Sequence, residues 1–346
     1  MLCGLLPGFV VHTHAAEAPA VSAASAVLMD AETGRVLYAH NEQEPRAIAS
    51  TTKLMTALVA AEYLGGDLSE TVEIKREWTG IEGTSLYLKP GETITLKTLL
   101  YGLLLHSGND AAVALAGICG GEVETFVGWM NQRAQELGMA DTTFLNCTGL
   151  PAQGHQTSAH DIALMSRELI LNHHSIREYT TIWMDTLRDG QFQLSNTNKL
   201  IRFYEGATGL KTGSTDSARY CISATAERDG MELIAVILKG KTSPDRFADA
   251  QTLLNYGFAS YALKTVIPDE PLPPVPVRLG TQATVQPVLG EENQLLLEKA
   301  KTGELGQSVT LEPSVQAPVA VGDRLGTLTV TSEGEVLAEL TLLAGE

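Results

Sequence analysis

The sequence predicts an α/β (α+β) fold in which an antiparallel sheet is covered by helices beside a helical lobe, followed by a small all-β domain. Three observations carry this expectation. Strand-like runs open and close residues 24–264, with helical periodicity between them. Pro268, Pro271, Pro273, Pro274 and Pro276 then crowd a stretch that can sustain neither a helix nor a central strand, so 265–276 reads as a linker. Beyond it, residues 277–346 show short runs of alternating hydrophobicity between turn residues.

Residues 1–20 read as a secretory signal that lacks its start. Residues 2–11 are apolar and small residues follow at 13–16, but no Lys or Arg precedes Arg35. That predicts an extracytoplasmic protein. Residues 26–30 and 36–39 flank Glu32-Thr33-Gly34-Arg35, the pattern of a β-hairpin. Ala49 and Ser50 precede Leu54, Ala57, Leu58, Ala61 and Leu64, one buried face of a helix stopped by Gly65-Gly66. A polar, β-like stretch at 72–77 and a loop at 84–88 follow, then helical periodicity from 93 to 137. Residues 146–151 are irregular. Thr157-Ser158 start a helix carrying Ile162, Met165 and Leu169. Between 206 and 240 the pattern becomes strands, with a turn at Arg228-Asp229-Gly230, and a last helix spans about 244–254. The β-domain runs are 275–279, 283–287, 308–311 and 327–330.

With 44% hydrophobic and 19% charged residues the chain can fill a sizeable core. A net charge of −17 argues against nucleic acid and against binding anionic lipid by bulk charge. No run of eighteen apolar residues occurs, and the last residues form no basic amphipathic helix, so no membrane anchor is visible. Cys3, Cys119, Cys147 and Cys221 show no C-x-x-C spacing, and the last three read as buried thiols. His173-His174 and His12-Thr13-His14 have no matching carboxylate pattern and no H-E-x-x-H occurs, so neither metal nor cofactor is expected. His173-His174 reads as a helix-end surface.

The chemistry begins at Ser50-Thr51-Thr52-Lys53. On a helix, residues three apart share a side, so Lys53 can take the proton of the Ser50 hydroxyl if its own pKa is lowered. Burial and nearby positive charge both lower a lysine pKa. Ser107-Gly108-Asn109 lies between two apolar helical runs and reads as a tight loop, and Lys211-Thr212-Gly213 precedes Ser214 and a strand-like run. The chain thus carries S-x-x-K, S-x-N and K-T-G in that order.

This trio resembles the signature of penicillin-binding proteins and serine β-lactamases. The chain resembles a low-molecular-mass penicillin-binding protein of the serine D-Ala-D-Ala carboxypeptidase family, over about residues 24–344. Beyond the trio, the likeness rests on the residues from Gly83 to Gly91, on His106-Ser107-Gly108-Asn109-Asp110-Ala111, on Gly209-Leu210-Lys211-Thr212-Gly213, and on Arg246-Phe247 with Leu253–Phe258. It implies a β-lactamase/transpeptidase-like catalytic domain at 24–264. It also implies a peptidase that removes terminal D-alanine from peptidoglycan stem peptides through an acyl-enzyme on Ser50, and that β-lactams acylate. Ser107 would relay a proton to the leaving amine. Lys211 would keep the site positive and help depress the Lys53 pKa. The Asn109 amide would hold the substrate backbone. Thr212 and Arg246 would grip the terminal carboxylate, with Gly213, Ser214 and Ser85 also against the substrate. The backbone N–H groups of Ser50 and Ser214 would bind the oxyanion. Best-known members have a histidine where this chain has Ser214, so no role is carried over to that side chain.

Two alternatives stand beside this reading: a serine β-lactamase or esterase on the same scaffold, and a catalytically silent peptidoglycan-binding homologue. Glu168 and Asn172 match the E-x-x-x-N of class A β-lactamases, but they come too late after Ser107 and too close to Lys211. Glu168 reads as a helix-surface residue.

Overall fold

The structure is a computed structural model that describes residues 18–65, 68–290, 293–301 and 305–345. Most of the expected signal segment, 1–17, lies outside the described residues, as does Gly66. The described chain divides into two compact units, 18–257 and 258–345.

In the first unit the strands are β1 (Ser25–Asp30), β2 (Val36–His40), β3 (Thr71–Glu73), β4 (Thr93–Thr95), β5 (Met184–Leu187), β6 (Phe192–Ser195), β7 (Ala207–Thr215), β8 (Arg219–Arg228) and β9 (Met231–Gly240). The helices are α1 (Lys53–Leu64), α2 (Leu96–Tyr101), α3 (Asn109–Gly120), α4 (Val123–Glu136), α5 (Ala159–Asn172), α6 (Ile176–Thr180), α7 (Leu200–Phe203) and α8 (Ser243–Ser260). Five strands make one antiparallel sheet in the order β2-β1-β9-β8-β7.

The sheet follows from its sequence. β1 and β9 are almost continuous apolar runs, which suits strands buried on both faces. Alternation assigns the faces: Val27, Met29, Ile234 and Val236 join the large helical core with Leu54, Leu58, Leu104 and Leu115. On the opposite face Leu28 and Leu233 reach α8, where Gly257 leaves no room for a Cβ. That close approach requires a glycine there, within a helix that runs to Ser260 and past the stop expected near residue 254. The β1–β2 turn closes with Gly34 N donating to Asp30 O. The β8–β9 turn places Asp229 and Gly230 at positive φ, the pattern of a two-residue hairpin. Ser158 caps α5 by accepting from Asp161 N at 3.1 Å. The region expected to be β-like at 72–77 is strand only through Glu73 before a 3-10 turn, and helix begins at Leu96 because 93–95 pair with β3.

The second unit holds β10 (Tyr261–Thr265), β11 (Val275–Arg278), β12 (Thr284–Val285), β13 (Pro287–Leu289), β14 (Gln294–Glu298), β15 (Leu305–Leu311), β16 (Val315–Gln316), β17 (Arg324–Ser332) and β18 (Glu335–Ala344). Its main sheet runs β13-β18-β17-β15 around Val266, Leu328, Val330, Leu340 and Leu342. The proline-rich stretch expected to link two domains instead lies inside this unit. β10 pairs with β14, and Val266 and Val275 are both buried in its cores. Prolines exclude regular structure locally, but the apolar residues that flank them still anchor the segment.

Candidate active site

The turn that carries Ser50 is built by close backbone packing. Ala49–Thr52 form a 3-10 turn and α1 begins at Lys53, so Ser50 precedes the α-helix rather than lying within it. Ala49 has a φ of 49°, a left-handed conformation uncommon for a residue with a Cβ. Two glycines make the turn possible. A Cβ on Gly149 would lie 2.0 Å from Ala49 O, and one on Gly213 would lie 2.9 Å from Ser50 N. The K-T-G glycine is therefore required by the approach of β7, the sheet's edge strand, to the Ser50 backbone.

Lys53 is wholly buried, with Nζ 3.0 Å from Ser50 Oγ, 2.7 Å from Asn109 Oδ1 and 2.6 Å from Thr148 O. Asn109 Nδ2 donates to Glu82 O at 2.5 Å, which fixes the amide with its oxygen towards the lysine. Both carbonyl oxygens can only accept. A neutral amine therefore gives its two N–H bonds to Asn109 and Thr148, and its lone pair faces Ser50. Burial lowers the Lys53 pKa to about 7, against the opposing pull of the nearby Cys147 and Asp110. Cys147 itself is pushed up to about 12 by burial and stays a thiol.

Lys211 is buried on β7, and its Nζ donates to Thr212 O at 2.9 Å. Burial, then the charges of Lys53 and Arg246, hold it well below the usual lysine range. Burial is likewise the largest cause of the fall at Lys53. Ser107 ends a π-helical turn (Gly102–His106) in the left-handed region, φ 71° and ψ 33°, and is buried two residues before Asn109. Thr212 donates to Thr197 Oγ1 at 2.7 Å. Ser214 is exposed and follows Gly213 along β7.

Arg246 is buried, stacked 4.8 Å from the Phe247 ring, and donates through Nη1 to Gly213 O at 3.0 Å and Cys221 O at 3.3 Å. Its Nε is buried without a partner, and among the described residues no carboxylate pairs with it. Asp249, an obvious candidate partner, instead accepts from Ser22 N at 3.0 Å and Ala23 N at 3.0 Å. Burial lowers the Arg246 pKa.

Ser85 donates to Asp110 Oδ2 at 2.6 Å and accepts from Tyr87 N at 2.9 Å. Its one hydrogen and one of its two lone pairs are thereby committed to shaping the loop. Asp110 also accepts from Leu86 N at 2.9 Å and Leu88 N at 3.0 Å, a loop-clamping role that sequence reasoning missed. A charged residue directly after S-x-N, at the start of an apolar helix, was its only signal. Thr148 contributes a backbone oxygen, which no side-chain motif can announce. A cleft of about 390 Å³, lined by Ala49, Gly149, Gln153, Gln156, Thr215 and Ser217, opens beside the Ser50 turn.

Glu168 accepts from Arg133 Nη2 at 2.7 Å and from Asn172 Nδ2 at 2.9 Å. Glu62, Glu168 and His173 converge within 4.8 Å, but Arg133 bonds to both carboxylates and already supplies the positive charge there. Cys119, Cys147 and Cys221 are buried and free. No single helix among the described residues is long and apolar enough to cross a membrane.

The family model described as D-alanyl-D-alanine carboxypeptidase matches residues 12–242, and that described as Penicillin-binding protein 5, C-terminal domain, matches residues 263–346. The chain is 38% identical over 332 residues to D-alanyl-D-alanine carboxypeptidase DacF of Bacillus subtilis, spanning 94% of this chain and 85% of that protein. It is 34% identical over 342 residues to DacC of Escherichia coli, spanning 95% and 85%. The structure of penicillin-binding protein 5 from Haemophilus influenzae matches with a TM-score of 0.81 at 27% identity, covering 99% of this chain and 98% of that one. Penicillin-binding protein D2 from Listeria monocytogenes in a cefotaxime-bound form matches with a TM-score of 0.63 at 34% identity, covering 69% and 98%. With a half-buried Ser50 beside a buried Lys53 where three motifs meet, and relatives such as DacF matched across nearly its whole length, the chain belongs to the D-alanyl-D-alanine carboxypeptidase family of serine hydrolases.

Proposed function

We propose that this protein removes the terminal D-alanine from peptidoglycan stem peptides, outside the cytoplasm, through an ester on Ser50. The observation that carries this reading is the 3.0 Å contact of Lys53 Nζ with Ser50 Oγ, which the neutral amine meets with its lone pair. Ser50 Oγ attacks the carbonyl carbon of the last peptide bond while its proton passes to Lys53 Nζ. The oxyanion is held by the N–H groups of Ser50 and Ser214, a geometry favoured by the approach of Gly213 to Ser50 N. The proton held by Lys53 is relayed through the Ser107 hydroxyl to the departing amine, the C–N bond breaks, and free D-alanine leaves. Water then attacks the ester while Lys53 takes its proton, and that proton passes to Ser50 Oγ as the ester C–O bond breaks and the shortened peptide leaves.

Asn109 acts here mainly by orienting Lys53, because both ends of its amide are engaged. Arg246 and Thr212 receive the substrate's terminal carboxylate. The unpartnered Nε and buried charge of Arg246 favour this, since an arginine fork pairs bidentately with a carboxylate. An arriving carboxylate also stabilises the ammonium form of Lys211. The acyl half of the peptide enters the cleft beside Thr215. Ser85 supports the site through Asp110.

β-Lactams acylate Ser50 by the same route; the cefotaxime-bound Listeria relative supports this. No observation favours the β-lactamase alternative, because Glu168 is paired with Arg133. The test is mass spectrometry after incubation with penicillin. Wild-type protein gains one penicilloyl mass and Ser50→Ala gains none and releases no D-alanine from a diacyl-Lys-D-Ala-D-Ala peptide. A Ser50→Ala protein that still acquires the adduct removes Ser50 as nucleophile.

A further inference from the structure

The segment from Leu145 to His155 touches the site at two places and is closed on itself by one imidazole. His155 is buried at 5% exposure, its Nδ1 accepts from Leu145 N at 3.0 Å, and its Nε2 lies 2.7 Å from Thr52 Oγ1. We propose that His155 is a positioning residue for acylation, acting through Thr52 to hold the Ser50 turn and the Thr148 carbonyl in one register. The proposal rests on the reading of Ser50 as nucleophile.

The direction of each hydrogen bond follows from counting protons. Leu145 N–H can only donate, so Nδ1 carries a lone pair and the ring proton of the neutral imidazole sits on Nε2. Nε2–H then donates to Thr52 Oγ1, whose own hydrogen goes to Ala49 O at 2.8 Å. The chain Leu145 N–H, His155, Thr52, Ala49 O has no reversible link. An imidazolium would set two N–H groups against each other at Leu145, in keeping with a His155 pKa lowered by burial to about 4.

What this chain holds is strained and exacting. Ala49 carries a φ of 49°, a conformation that persists only where surroundings impose it. Within the same loop Asn146 Oδ1 accepts from Thr148 N at 3.1 Å and Gly149 N at 2.7 Å. That sets Thr148 O against Lys53 Nζ and Gly149 against Ala49 O. One ring therefore ties the backbone that presents the nucleophile to the backbone that orients its base. Nothing else in the mechanism uses His155. Loss of the tie alters the mutual aim of Ser50 and Lys53, so it acts on the acylation step and not on binding.

The experiment measures acylation of the full chain by a fluorescent penicillin, separating the limiting rate constant from the half-saturation concentration. Thr52→Val keeps the shape and removes the hydroxyl. It should lower the limiting rate at least about tenfold, within the roughly hundredfold that small misplacements can cost, with half-saturation changed less than about twofold. Thr52→Ser should restore most of the rate, and adding His155→Gln to Thr52→Val should cost little more. A Thr52→Val rate within about twofold of wild type, a Thr52→Ser as slow as Thr52→Val, or single losses that multiply in the double variant overturns the proposal. If Thr52→Val does not fold, nitrogen-15 shifts of His155 in the wild-type protein decide: the Nε2–H tautomer at pH 7 supports the tie, and the other tautomer or an imidazolium overturns it. A wild-type protein that is never acylated overturns the Ser50 reading itself, whereas a fast Thr52→Val overturns only the role of His155.

Discussion

Asn109 Oδ1 accepts a hydrogen bond from Lys53 Nζ at 2.7 Å, and the amide cannot turn over because its Nδ2 is bound to Glu82 O. The asparagine of the S-x-N motif therefore orients Lys53. It makes the neutral form of Lys53 the one whose lone pair meets Ser50.

Acylation should rise with pH through a midpoint near 7, the value to which burial brings Lys53. The sign is unambiguous, since only the neutral amine can accept the Ser50 proton. Stability moves the same way. Between about 7 and the ordinary 10.5 the unfolded chain holds one more proton at this lysine than the folded chain, so the stability of the fold gains with pH across that window. The cost of burying Lys53 is felt in full below pH 7. Rates of penicillin acylation from pH 5 to 9 check this, and a flat profile would mean that Lys53 is not the base.

Arg246→Ala should weaken hydrolysis of peptides with a free terminal carboxylate by about ten- to a hundredfold in kcat/KM, the loss of one charge-assisted hydrogen bond of roughly 1.5–3 kcal/mol. Acylation by a neutral thioester should change far less. Comparing the two substrates on one preparation cancels any loss of folded protein from the missing packing against Phe247. Equal losses would make Arg246 structural.

Glu168→Gln should leave acylation and deacylation nearly unchanged. A deacylating base contributes about 10²–10⁴-fold, so its loss would trap the adduct. Glu168 is instead tied to Arg133 at 2.7 Å, and weakening such a pair costs about 1 kcal/mol or less. A variant whose penicilloyl adduct outlives the wild type's a hundredfold would promote the β-lactamase reading.

Residues 18–260 expressed alone should fold and be acylated by penicillin. The three motifs and Arg246 all lie in the unit ending at Gly257, and Ser22 and Ala23 are needed because they satisfy Asp249. A cut at 264 would strand β10 without its partner β14. Circular dichroism and acylation of the truncated chain test this; folded but unreactive protein would show that the second unit completes the site.

The amino-acid sequence by itself determined the chemistry and the class of fold. Ser50 and Lys53 are close along the chain, and a single helical turn is enough to bring their side chains together. The alternation and punctuation of residues 206–240 likewise specify β7, β8 and β9, because strands and tight turns are local patterns. Other features depended on residues distant in sequence. The left-handed Ala49 sits in a turn on which Gly149 and Gly213 pack closely, and α8 has a glycine at 257 because Leu28 and Leu233 lie against it. The proline cluster looked like a boundary, but pairing of β10 with β14 placed it inside the second unit. Above all, a motif names side chains, whereas the direction of the Lys53 lone pair is set by the Thr148 carbonyl and an amide locked by Glu82 O. Backbone oxygens are the same in every residue, so only the tertiary structure could say which of them faces the base.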